Sequence, residues 1–345
     1  MDCILDVDTG VDDALALLLA LRSPSLNVLA VTTVSGNVGV GAVLDNTLRV
    51  LDAAGARADL PVARGCDRPL VSAVHHCPQI HGEDGLGDLQ QPLPPSARRA
   101  SPLHAVELLL STLRAVPAGG TLTVIALAPL TNVAMLVRLA PELCRQKLRV
   151  AWMGGAAYGG GNASQWAEAN AAYDPEAAAI VLGADGADGA ACAAVSIYTW
   201  DAYKQVELSE AQLLALAGEA DLAALDAACD GEREFADAAL PSWTACALRL
   251  LRGEMRKWKA TTVMIGDAGA VAALLAPEAE GAMGELLHVV VELAGTQTRG
   301  MTVVDARPFV MVPDRPKGEP NVSVISKVDG AALGEVFLKA LGSRE

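Results

Sequence analysis

Four aspartates, Asp6, Asp8, Asp12 and Asp13, stand in the short run Ile4-Leu5-Asp6-Val7-Asp8-Thr9-Gly10-Val11-Asp12-Asp13. Like charges this dense at the end of an apolar segment repel one another unless a cation neutralises them, and a hard divalent metal suits carboxylate ligands. In an extended segment side chains alternate, so Asp6 and Asp8 are expected on one face at the end of a strand from Cys3 to Val7. Gly10 permits a turn. Ala14 to Leu21 reads as a buried helix with Asp12 and Asp13 in its first turn, where the helix dipole favours negative charge. Capping alone accounts for Asp12 and Asp13 as well as a metal does, but it leaves Asp6 and Asp8 unexplained.

The elements that must position these groups alternate along the chain. Short β-branched or apolar runs precede helical patterns: Asn27 to Val34 then Val43 to Ala54, Leu122 to Leu127 then Leu130 to Leu139, Leu148 to Met153 then Pro175 to Leu182. Such alternation predicts an α/β fold, a mostly parallel central sheet flanked by helices on both faces, with the ligand site at the carboxyl ends of the strands. Polar sequences fall there: Ser35-Gly36-Asn37, Ala128-Pro129-Leu130-Thr131-Asn132, and a loop from Gly154-Gly155 to Asp174. No linker or composition shift divides the chain, so residues 1–345 are expected to form a single domain. Residues 66–102, rich in Pro and His, read as a long loop near the site, and residues 199–260 as a helical layer over it.

Composition sets the outer bounds. At 345 residues and 52% hydrophobic content the chain can bury a large core. No apolar run is long enough to span a membrane, and acidic Asp2 and Asp6 stand where a secretory leader needs basic residues, so a cytoplasmic protein with no membrane partner is expected. The seven cysteines form no CxxC pair and fit reduced thiols rather than disulfides or zinc ligands. A formal net charge of −15 argues against a nucleic-acid polymer as partner and leaves small molecules open.

The fourth loop is the richest in polar groups, with Met153-Gly154-Gly155, Gly161-Asn162, Glu168-Ala169-Asn170 and Asp174-Pro175-Glu176. A carboxamide both donates and accepts, which suits a ligand studded with hydroxyls, such as a sugar. Further on, Gly266-Asp267-Ala268 places another aspartate at a helix start after an apolar run, as a plausible further metal ligand.

These segments, together with Gly36-Asn37, His81-Gly82-Glu83, Pro129-Leu130-Thr131-Asn132 and Thr298-Arg299-Gly300-Met301-Thr302, resemble in order the nucleoside hydrolases, the inosine-uridine-preferring N-ribohydrolases, from residue 3 to about residue 340. The resemblance implies a Rossmann-like nucleoside hydrolase fold, a homodimer or homotetramer, and a ribonucleoside substrate. It implies a calcium ion (Ca2+) held by Asp8, Asp13, Asp267 and the backbone carbonyl of Leu127, with the ribose bound by Asp12, Asn162, Glu168 and Asn170 and further substrate contacts at Met153 and Asp267. Asn37 would orient Asp8, His81 would stand near the base, and Asp6 would support the shell from behind. Breaking the N-glycosidic bond builds positive charge on the ribose, as in glycoside hydrolysis, while Asp8 takes the proton of a water held beside the calcium.

The chain departs from the family pattern in places. Gly266 stands where many members carry a His proposed to protonate the departing base, so that Gly266→His is expected to raise turnover if protonation limits the rate. Ala169 replaces a Phe against the ribose, with Trp166 as a candidate to fill the gap, and Tyr198 replaces an aspartate. Trp243 and Trp258 are candidates for stacking on the base, weighed against a place in the core. Two rival readings remain at this stage. One is a haloacid-dehalogenase-like phosphatase using Asp6 and Asp8, and the other a non-catalytic nucleoside or ribose binder that lacks the acid.

Overall fold

A computed structural model describes residues 1–90, 92–183, 191–218, 223, 226–227, 240–311 and 317–342. The strands in chain order are β1 (Asp2–Val7), β2 (Asn27–Thr33), β3 (Val62–Arg64), β4 (Leu122–Ala126), β5 (Leu148–Met153), β6 (Ala194–Tyr198), β7 (Glu207–Ser209), β8 (Thr262–Met264), β9 (Glu285–Leu287), β10 (Val289–Val291), β11 (Thr302–Val304) and β12 (Val322–Ile325). Eight of them form one sheet in the order β3-β2-β1-β4-β5-β6-β12-β9, parallel except for the edge strand β9. This is the α/β architecture read from the alternating pattern. The short strands β3, β9 and β12 were not expected, because three or four residues carry too little periodicity to register.

Chain order runs outward in both directions from β1 and β4, so the point at which the topology switches lies between them. Helices leaving β1 and β4 go to opposite faces there and open a crevice at the carboxyl ends of the strands. Alternation along β1 is consistent with this. Cys3, Leu5 and Val7 enter a core shared with helices Val11–Arg22, Ser242–Trp258 and Asp267–Leu275, whereas Ile4 enters a second core beneath helices Ala105–Ala115 and Thr131–Leu139. Helix Val11–Arg22 ends where Ser23 turns extended ahead of Pro24, which disfavours a helical residue before it.

The expected helical layer over residues 199–260 is mixed. It contains helix Trp200–Tyr203, strand β7, which pairs antiparallel with β8 just beyond the segment, and helices Glu210–Ala217 and Ser242–Trp258. Its stretch at 219–222, 224–225 and 228–239 lies outside the described residues, as does residue 91 of the expected loop. Among the described residues no helix is long and apolar enough to cross a membrane, and no disulfide joins the six described cysteines.

Asn132 ties the strands together behind the crevice. Its Nδ2 donates to Asp6 Oδ1 on β1 (2.8 Å) and to the Thr33 carbonyl on β2 (3.0 Å), and its Oδ1 accepts from the Cys66 amide beyond β3 (3.0 Å). Asn132→Ala leaves these buried groups unpaired and is expected to lower stability by about 2–4 kcal/mol in urea denaturation, with little change in the slope of the transition.

Candidate active site

The loop after β1 folds onto its own carboxylates. Asp13 Oδ1 accepts the Asp8 amide (3.2 Å), and its Oδ2 accepts the Gly10 amide (2.8 Å) and Asn37 Nδ2 (3.2 Å). The Asn37 amide donates to Asp8 Oδ2 (2.7 Å), while Asp8 Oδ1 is buried with no partner among the described residues. Asn37 therefore orients Asp8 with its backbone and Asp13 with its side chain. Glycine is required at 36, where a Cβ would lie 1.9 Å from Asp8 Oδ2. Because β1 ends at Val7, alternation does not carry Asp8 onto the face of Asp6. Asp6 accepts from Thr32 (2.6 Å) and Asn132, and burial pushes its pKa up to about 6 against those two bonds. Its Oδ1 is held by Thr32 and Asn132 behind the crevice, an arrangement that supports the strands and does not suit a phosphatase nucleophile.

Carboxylate oxygens of Asp12, Asp13 and Asp267 converge within 4.8 Å of one another. Asp267 opens helix Asp267–Leu275, which packs beside helix Val11–Arg22. Burial raises the pKa of Asp8, Asp13 and Asp267 well above the ordinary carboxylate range, and their mutual repulsion raises it further. An all-oxygen set that cannot ionise together without a cation is the chemistry of a hard-metal site.

Facing this set is a cavity of about 880 Å³, whose wall includes Asp12, Asn37, His81, Leu127, Met153, Asn162, Glu168, Asn170 and Asp267; Asp8 and Asp13 are buried and do not line it. Asn170 Nδ2 donates to the carbonyls of Leu127 (3.2 Å) and Met153 (3.1 Å), tying the ends of β4 and β5. Glu168 caps helix Ala169–Tyr173, accepting from the amides of Asn170 (2.8 Å), Ala171 (3.2 Å) and Gly155 (2.7 Å). Burial pushes its pKa up to about 7 in spite of these bonds. Asn162 Oδ1 accepts the Ala169 amide (2.8 Å).

His81 Nδ1 accepts the Val11 amide (3.4 Å) and lies 3.7 Å from Asp12 Oδ1, so in the neutral ring the proton sits on Nε2. His75 and His76, in the Pro- and His-rich loop, also line the cavity, and His76 bonds the Gly36 carbonyl. Trp258 reaches the wall. Trp243 instead lies under the Arg22 guanidinium, 4.0 Å from its ring centre, and Trp166 is absent from the wall, so it does not fill the space beside Ala169. Tyr198 is buried, its hydroxyl donating to the Ala202 carbonyl.

Among the wall residues that escaped the sequence reading are Tyr203 and Glu254. Neither belongs to a motif. The Tyr203 hydroxyl donates to Asp12 Oδ2 (3.1 Å) and fills the space beside Gly266. Gly266 has φ +52°, and a Cβ there would lie 2.7 Å from both Asp12 Cβ and the Tyr203 hydroxyl. A side chain at 266 must therefore displace Asp12 or the Tyr203 hydroxyl, which weighs against the expectation that Gly266→His raises turnover.

The family model for "Inosine-uridine preferring nucleoside hydrolase" matches residues 3–335. The chain is 32% identical over 343 residues to an uncharacterized protein of Schizosaccharomyces pombe, with 99% of each covered. It is 43% identical over 179 residues to the inosine-uridine preferring nucleoside hydrolase of Leishmania major, a match covering 52% of this chain and 56% of that one, about half of each. Among solved structures, an inosine-guanosine nucleoside hydrolase superposes with a TM-score of 0.81 at 28% identity, covering 100% of this chain and 99% of that one.

Gly266→Ala combines a strained backbone with a collision at Asp12 and Tyr203, and is expected to cost about 2–4 kcal/mol in denaturant melts. Gly266→His is expected to melt earlier still and to release no more base from inosine than the parent chain. A faster initial rate with an unchanged melt contradicts this.

Proposed function

The chain belongs to the inosine-uridine preferring nucleoside hydrolase family, enzymes of the N-glycosyl hydrolase class, and from that membership we propose that it hydrolyses ribonucleosides to free nucleobase and ribose with calcium as cofactor. The observation that carries this reading is the buried, unpartnered Asp8 Oδ1 beside converging carboxylates at the switch point of the sheet, under a wall of carboxamides. The residues fit the cation. Asp8, Asp13, Asp267 and the Leu127 carbonyl would hold it, with Asp12 in the same cluster facing the sugar. When bound, the cation supplies the charge that lets these carboxylates ionise together, acidifies a neighbouring water and holds ribose hydroxyls.

The chain's own groups do the rest. Asp8, steadied by the Asn37 amide, takes the proton of the attacking water. Asp12, Asn162, Glu168 and Asn170 bind ribose hydroxyls, and their oxygens stabilise the positive charge that grows on the ring as the base departs. Met153 lies under the sugar, with its carbonyl tied to Asn170. His81 stands against the base. Residues 1–345 work as one domain, with 66–102 and 199–260 as its cover; His75 to His81 and Trp200 to Ala260 supply wall residues from both segments.

A panel of inosine, uridine, cytidine and adenosine assayed for free ribose tests the reading. Release is expected from at least one, lost in chelator and restored by calcium, and reduced about 100-fold or more in Asp8→Asn. Ribose raising the melting temperature with no base released from any of the four would make the chain a binder and sink the enzymatic reading.

The raised pKa values of Asp8, Asp13 and Asp267 also set a pH dependence. In chelator the folded chain holds protons that the unfolded chain has released, so stability is expected to fall as pH rises from about 4 towards neutrality. Calcium must displace those protons. Its affinity by calorimetry is expected to rise over the same range, with proton uptake by the buffer; pH-independent affinity contradicts this.

A further inference from the structure

Hydrolysis of a nucleoside needs a proton for the departing base as well as a water for the sugar. Position 266 cannot supply it, since Asp12 and the Tyr203 hydroxyl occupy the space a side chain would need. Tyr203 is a poor source. Its hydroxyl is committed to Asp12 Oδ2, and burial, with the Asp12 and Asp267 carboxylates beside it, raises its pKa well above the ordinary phenol value.

Away from the ribose end, the wall offers His75, His76, His81, Glu207 and Glu254 as proton carriers. His81 has Nδ1 turned to the Val11 amide and Asp12, and His76 bonds the Gly36 carbonyl. Glu207 is exposed. Glu254 differs from all of these. It lies in the last turns of helix Ser242–Trp258, where Trp258 Nε1 donates to its Oε2 (2.9 Å) and fixes the carboxyl group, while Oε1 is buried with no hydrogen-bond partner among the described residues. A carboxyl oxygen shut away from water without a partner is satisfied by carrying a proton or by meeting a ligand. Burial raises the Glu254 pKa above its ordinary value, against the Trp258 bond and the pull of Lys257 and His81 and in concert with Asp12.

We propose that Glu254 is the acid that protonates the departing nucleobase. The inference rests on the nucleoside hydrolase reading. As the bond from C1' to the base nitrogen breaks, its electron pair passes to the base, which takes the proton of Glu254 Oε1. The carboxylate left behind keeps the Trp258 N–H and regains a proton from solvent. Water gives its hydroxyl to C1' and its proton to Asp8, which then returns that proton to solvent, so one water is consumed for each bond cleaved.

The test compares the calcium-loaded parent chain with Glu254→Gln on inosine, uridine and para-nitrophenyl riboside, whose leaving group departs without a proton. Turnover of the nucleosides is expected to fall by about 100-fold or more while nitrophenyl riboside is cleaved at the parent rate, which also reports an intact fold. Equal loss on both substrate types makes Glu254 merely structural and overturns the proposal, as does unchanged turnover of the nucleosides. Selective loss on nucleosides in His81→Gln, with Glu254→Gln unaffected, assigns the acid to His81 instead. A parent chain that cleaves neither inosine, uridine nor nitrophenyl riboside removes the hydrolase reading itself, and this proposal with it.

Discussion

Electrostatic repulsion among buried carboxylates is the constraint around which the molecule is arranged. Asp8, Asp13 and Asp267 are withdrawn from water at the carboxyl ends of parallel strands, with Asp12 and Glu168 close enough to be felt. Such a group cannot persist fully ionised on its own, and its neighbours answer it in two ways. Amides of Gly10, Asn37 and Asp8 itself turn inward as donors, and one oxygen of Asp8 has no hydrogen-bond partner among the described residues. The first device limits the cost of burial. The second reserves an acceptor for a cation.

The close approach also dictates where side chains are missing. Gly36 brings its backbone against Asp8, and Gly266 does the same for Asp12 and Tyr203. The two glycines differ in consequence. At 36 the absent Cβ lets the Asn37 amide reach the carboxylate, and at 266 it lets a tyrosine hydroxyl hold the cavity-lining Asp12 from the other side. Tyr203 thereby occupies the space at the start of helix Asp267–Leu275 that a side chain at 266 would take.

Much of the fold was legible because its periodicity is strong. The strands through Asp6, Thr33, Ala126 and Met153 and the helices after them are long enough to declare themselves, and their order led to a parallel sheet with its site at the strand ends. Strands β3, β9 and β12 and the pairing of β7 with β8 were not legible, since three- and four-residue strands are held by neighbours rather than by their own pattern. Within the site, the residues carried by motifs line the cavity or lie buried against it. Tyr203 and Glu254 went unnoticed because each is one ordinary residue in a helical stretch, and Trp166 and Trp243 drew attention that their positions do not repay.

The sequence alone determined the inventory: aspartates after the first strand, carboxamides after the later ones, a further aspartate at 267, and the alternating pattern that brings such loops to one edge. Those features are local, set by hydrophobic period and residue type, so they can be read without knowing what touches what. Tertiary structure decided the assignments that depend on distance across the chain. It separated Asp6, held by Asn132, from Asp8, held by the Asn37 amide; it set Tyr203 against position 266; and it left one oxygen of Glu254 buried without a hydrogen-bond partner among the described residues. Each of these is a contact or an exclusion of water between segments far apart in sequence, and burial and repulsion at that range exist only once the chain has folded.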